Sequence, residues 1–143
     1  MKLMVAILMS AFSVQAFAAL GEKFENSSPL LQKKLVQNRA ATYSVHESVV
    51  NGATIHEYVL PDGTIFGVTW KGYSHPDLSN LLGSYKAEYD QLNAKRVHAS
   101  GRVPIDLKSS KVSVRMSGHM RDVHGEAYDP KLLPQGFSLE EFK

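Results

Sequence analysis

The chain has 143 residues, 16 lysines and arginines against 14 aspartates and glutamates, and no cysteine. Without cysteine, thiol catalysis, zinc–thiolate sites, iron–sulfur ligation and disulfides are excluded. A formal net charge of +2 provides no field to gather nucleic acid or an anionic membrane, so neither is an expected partner.

The first eighteen residues carry the order of a secretory signal. Lys2 is the positive start, Leu3 to Phe12 is apolar but for Ser10, and Ala16-Phe17-Ala18 supplies small residues at −3 and −1 of a cut before Ala19. The apolar run is shorter than the roughly 20 residues a bilayer-spanning helix needs. No cysteine follows it, so lipid anchoring is excluded. The expectation is an exported protein of the periplasm or the medium, free of the membrane. Removing residues 1–18 leaves 125, the size of one domain with an adequate core of its own.

Along the mature chain, Ala19 to Ser28 is polar and reads as loose. Ser28-Pro29 resembles a helix start, and Leu31, Leu35 and Val36 form a stripe, predicting a short N-terminal helix over 29–39. Ala41–Val50, Thr54–Leu60 and Thr64–Trp70 are rich in β-branched and aromatic residues and read as strands. They are separated by Asn51-Gly52, which suits a tight hairpin, and by Pro61-Asp62-Gly63, which suits a type I turn closed by glycine. A two-residue first loop pairs Val45 with Tyr58 and Glu47 with His56. A three-residue second loop pairs Tyr58 with Phe66 and His56 with Val68. In that register Tyr43, Val45, Tyr58, Phe66, Val68 and Trp70 share a core face, and His46, Ser48, Glu57 and Thr69 look outward.

Pro76-Asp77 opens a helix running to about residue 93, with Leu78, Leu81, Leu82, Tyr85, Tyr89 and Leu92 on one face to cover the sheet. Gly83 within it suggests a close backbone approach. After a polar stretch, Val103, Ile105 and Leu107 alternate behind an edge-marking Pro104. Val112, Val114 and Met116 alternate next. A turn at Ser117-Gly118 and a last strand over His119–Tyr128, bulged near Gly125, complete the pattern. The predicted fold is one α+β domain: an antiparallel sheet of five to six strands, one main helix packed on one face, and the short N-terminal helix.

Several segments together carry a family resemblance: Ala19-Leu20-Gly21, Gly63-Thr64-Ile65-Phe66-Gly67-Val68-Thr69-Trp70, Pro76-Asp77-Leu78, Leu81 to Tyr85, Gly118-His119-Met120-Arg121 and Leu133-Pro134-Gln135-Gly136. In these the chain resembles an uncharacterised exported proteobacterial family, a domain of unknown function. The resemblance implies export and a single domain, and brings no assigned activity.

Three constellations carry chemistry. Glu47 beside His56, cross-strand neighbours on the apolar face in that register, places a carboxylate where it can orient an imidazole as a general base; the bland alternative is a polar pair at the core margin or at an open sheet end. Met116, His119, Met120 and His124 are soft ligands suited to copper, though a hairpin scatters them over two faces. His119 and Arg121 of the Gly118 turn, with Trp70 and Tyr73 at the end of the third strand, are candidates for ligand binding. His46 with Glu57 reads as an exposed pair. The basic set Lys95, Arg96, His98 and Arg102 has no interleaved aromatics and reads as a solvated loop. No catalytic signature, metal motif or cofactor fingerprint is present. No cofactor is therefore expected, and the partner is unknown, an envelope or extracellular protein being one candidate. The leading expectation is a non-enzymatic binding or assembly module; the alternative is a small hydrolase or copper-handling protein.

Overall fold

The computed structural model describes residues 19–24, 32–37, 42–97 and 103–142. The leader over 1–18, residues 25–28 and the His98 and Arg102 part of the basic set lie outside the described residues. Strands β1 (Gln32–Gln37), β2 (Thr42–Val50), β3 (Ala53–Val59) and β4 (Ile65–Gly72) form an antiparallel meander. A helical segment follows: α1 (Leu78–Leu82), one 3-10 turn (Gly83–Tyr85) and α2 (Lys86–Lys95). Strands β5 (Ile105–Lys108), β6 (Ser113–His119) and β7 (Asp122–Tyr128) complete one seven-stranded sheet in the order β1-β2-β3-β4-β7-β6-β5. The α+β class and the antiparallel sheet with one main helical segment agree with the sequence. The strand count exceeds the expected five to six.

Of the short N-terminal helix expected over 29–39, residues 29–31 and 38–39 lie outside the described residues, and the part described is not helical. Residues 32–37 are instead an edge strand, with Lys34 opposite Val45 and Val36 opposite Tyr43. The open edge of β2 offers one ladder of backbone partners to an incoming strand, whereas a helix this short must bear its own nucleation cost. Residues 19–24, read as loose, are docked. Leu20 N–H donates to Leu81 O at 2.9 Å and Gly21 N–H to Ile65 O at 2.8 Å, and Ala19 and Leu20 are buried. Ala19 sits against Gly83, whose φ of 51° and missing side chain permit the approach.

The first hairpin has the register the sequence implies: Val45 opposes Tyr58, Glu47 opposes His56, and Asn51 and Gly52 both take positive φ. The second does not. A bulge between Tyr58 and Val59 sets Tyr58 opposite Gly67 and His56 opposite Thr69, so Val68 and Trp70 turn away from Tyr43, Val45, Tyr58 and Phe66. The expected six-residue core face is thus divided between two cores. Ile55, Val59, Val68, Trp70, Val114, Met116 and Ala127 pack under Leu81, Leu82 and Tyr89 of the helical segment. On the other face Tyr43, Tyr58, Phe66 and Tyr128 pack with Phe137 and Phe142 of the C-terminal segment. β7 carries no register shift near Gly125, and its hairpin turn lies at Met120-Arg121 rather than at Ser117-Gly118.

His46 and Glu57, expected in water, are 5% and 6% exposed on the helix-covered face. The bulge and the first hairpin place them in the row His46, Glu57, Val68, Ala127, Val114, Leu107. Phe24 lies over the His46 ring with centroids 3.9 Å apart. Burial pushes the Glu57 carboxyl up to about 7.

Candidate functional site

The C-terminal segment covers only one end of the second face. It is fixed there by a 3-10 turn (Leu139–Glu141) with a Ser138 capping box, by Tyr43 Oη donating to Glu141 Oε2 at 2.5 Å, and by the Phe142 ring lying over Gly67. Among the described residues nothing covers the face beyond Phe142, and it forms a concavity of about 750 Å³.

Two registered rows of side chains line it. The row nearer Phe142 is Glu47, His56, Thr69, Glu126 and Arg115, from β2, β3, β4, β7 and β6. The next is Thr54, Lys71, His124 and Ser117, from β3, β4, β7 and β6. Direct cross-strand partners share a face, so nine strand positions meet although their sequence separations are large. Within the first row His56 Nε2 and Glu47 Oε2 are 2.8 Å apart, and Arg115 lies 3.5 Å from Glu126 and 3.7 Å from Asp106. In the second, Ser117 Oγ and His124 Nε2 are 2.6 Å apart. Trp70 and Gly125 lie at its floor.

A smaller hollow of about 340 Å³ opens beside it, lined in part by His75, His119, Asp122 and His124. Trp70 Nε1 donates to His75 Nδ1 at 3.0 Å. Burial, and then the neighbouring His124, lower the His75 imidazole below its ordinary range. Among the described residues no group of three or more His, Asp or Glu side chains is close enough to hold a metal ion.

Of the sequence candidates, Glu47, His56 and Trp70 border the large concavity; the pair is adjacent as expected, though on the open polar face and not on an apolar one. His119 borders the smaller hollow. Arg121 sits exposed at the β6–β7 turn in the left-handed region, and Tyr73 is 71% exposed against the β2–β3 turn; neither lines either of these two hollows. The methionine–histidine set is dispersed: Met116 is buried under the helices, Met120 is 82% exposed, and His124 bonds Ser117. Thr54, Thr69, Lys71, Arg115, Ser117 and Glu126 were missed. Their signal is the alternation of Arg115 with Ser117 and of His124 with Glu126, which marks one polar face on two neighbouring strands.

Fold and site define a small sheet domain with one helix-covered face and one half-open polar face. The family described as Protein of unknown function (DUF2844) matches residues 16–142, and the chain belongs to it. No curated protein and no solved structure matches the chain. No helix among the described residues is long and apolar enough to cross a membrane.

Proposed function

We propose that the chain is an exported, non-enzymatic binding module of the periplasm or the medium, cut between Ala18 and Ala19, whose open sheet face is the binding surface. The observation that carries this is the half-covered face. Phe137 and Phe142 seal one end with aromatic packing, while the other end keeps nine polar positions around a concavity of about 750 Å³. That volume lies within the range of small-molecule sites. Folding alone does not call for a registered set of paired charges on an open concave face, since exposed ion pairs contribute little to stability. The leader pattern of residues 1–18 and a family match beginning at residue 16 support export of the remaining domain. Native mass spectrometry of the protein taken from its own cells tests both parts. A polypeptide beginning at Ala19 with a small molecule attached is the expected result. Retention of residues 1–18 in the accumulated protein overturns export, and a bare chain at every mild ionisation setting removes a tightly held ligand.

One observation favours a second reading. Ser117 Oγ at 2.6 Å from His124 Nε2 is the spacing of a nucleophile and its base, which supports a small hydrolase built on β6 and β7. Labelling of Ser117 by a fluorophosphonate, abolished in Ser117→Ala, is its expected signature. An unlabelled protein ends this reading.

A further inference from the structure

We infer that the open face binds an oxyanion, a carboxylate or phosphate group, seated on Lys71 between Thr54 and the Ser117–His124 pair. This rests on the binding reading above and adds the charge of the ligand. The four side chains come from four adjacent strands and stand side by side in one register row. No acidic residue belongs to that row. The carboxylates of the cavity stand in the row behind, and each is engaged: Glu47 with His56 at 2.8 Å, Glu126 with Arg115 at 3.5 Å. Arg115 is itself shared between Glu126 and Asp106. Lys71, by contrast, makes no ion pair among the described residues. Lys71 is therefore the charged side chain of the cavity that no described residue engages.

An isolated exposed lysine binds anions weakly, because water screens it. Lys71 differs in its setting. It is itself exposed, but it lines a concavity walled at its other end by Phe142, where a bound group sheds part of its water and each contact strengthens. Its row neighbours add directional donors: the Thr54 hydroxyl on one side and the hydrogen-bonded Ser117–His124 pair on the other. A point charge flanked by hydroxyl and imidazole donors matches an oxygen-rich anion. A cation in the same place meets Lys71 head on, and a sugar finds no exposed aromatic face to stack on, since Trp70 is 2% exposed.

The test is an amide-shift titration of the ¹⁵N-labelled chain at low ionic strength, with succinate and, separately, with inorganic phosphate. Saturable shifts at Lys71, Ser117 and His124 are expected, weakened at least tenfold in Lys71→Met and unchanged in Lys86→Met, a substitution on α2. Saturation by succinate alone assigns a carboxylate, by phosphate alone a phosphate, and by both a general oxyanion site. Absence of shifts at these amides with either anion overturns the inference, as does wild-type binding by Lys71→Met. Parallel titrations with glucose and tetramethylammonium separate the two readings. If these bind the face and the anions do not, the charge assignment falls and the binding surface stands; if no probe of any charge binds there, both fall.

Discussion

Gly125 stands directly across the β4–β7 ladder from Trp70, and the indole lies over it in the space a Cβ would need. The contact joins the two halves of the sheet, because β4 ends the N-terminal meander and β7 begins the C-terminal three strands. Trp70 is also held by its bond to His75. Its ring thus has little freedom to yield. Gly125→Ala should cost about 2 kcal/mol or more by overpacking, read from urea unfolding. Because the protein has a single tryptophan, its fluorescence reports the displaced ring directly. An alanine variant as stable as the wild type, with an unchanged spectrum, would contradict this packing.

Glu57 titrates out of its ordinary range for a reason the sheet supplies: it is buried among Val68 and its row neighbours under the helices. Its carboxyl is raised from 4.5 to about 7 in the folded chain. The folded state therefore binds the proton more tightly than the unfolded one. The associated stability is fully present below pH 4.5 and is lost as pH rises through about 7. A shift of that size corresponds to about 3 kcal/mol. Glu57→Gln should accordingly be more stable than the wild type at pH 8 by up to about 3 kcal/mol and indistinguishable from it near pH 4. Melting temperatures of the two proteins across pH 4–8 check this; parallel curves would show that Glu57 remains charged when buried.

The hairpin at Asn51-Gly52, the Glu47–His56 pairing and the helix start at Pro76-Asp77, where Asp77 is the cap, were all legible in the sequence, because each depends on neighbours a few residues apart. The cap is observed as Asp77 Oδ1 accepting from Ser79 N–H at 2.9 Å. What was not legible depends on distant chain. Apolar alternation marks a core face only when the other face meets water, and here the first half of β4 is covered on both faces, so the alternation did not say on which side Val68 and Trp70 lie. The bulge at Phe66-Gly67 decides between them, and Gly67 is selected by the Phe142 ring that occupies its side-chain space from 75 residues away in sequence. The site suffered in the same way. Glu47 and His56 are joined by one tight turn and were found; Lys71 and Ser117 meet only through β7 and were not.

Phe142 holds the aromatic cap in place. Its ring centroid is 4.9 Å from those of Tyr58 and Phe137 and 5.5 Å from that of Tyr128. Truncation in Phe142→Ala removes these contacts and leaves a gap over Gly67, a change that costs about 3 kcal/mol in packed cores. Because Phe142 also walls the concavity, the variant should show increased hydrogen exchange at Gly67 and Tyr128 together with the lower melting temperature. Loss of stability without faster exchange at those two amides would place the cap's contribution elsewhere.

Tyr85 connects three parts of the chain. Its ring lies against Gly21 of the docked N-terminal segment, its backbone belongs to the 3-10 turn, and its hydroxyl donates to the buried Asp129 carboxylate at 2.5 Å. Burial first, and then the bond to Asp129 and its charge, push the phenol up to about 12. A hydroxyl donating to a buried carboxylate contributes more than a neutral pair. Asp129 keeps a second donor, the Lys131 N–H at 2.8 Å, so it does not become wholly unpaired when Tyr85 is truncated to phenylalanine. Tyr85→Phe and Asp129→Ala should therefore each destabilise the protein, with a coupling energy of about 1–2 kcal/mol in the double-mutant cycle. The same Tyr85→Phe chain should exchange the Leu20 and Gly21 amide protons only modestly faster, since the phenylalanine ring still covers Gly21 and the backbone bonds to Leu81 and Ile65 remain. Additive single-mutant losses would mean that the hydroxyl and the carboxylate act independently, and that the ring alone joins the helix to the sheet.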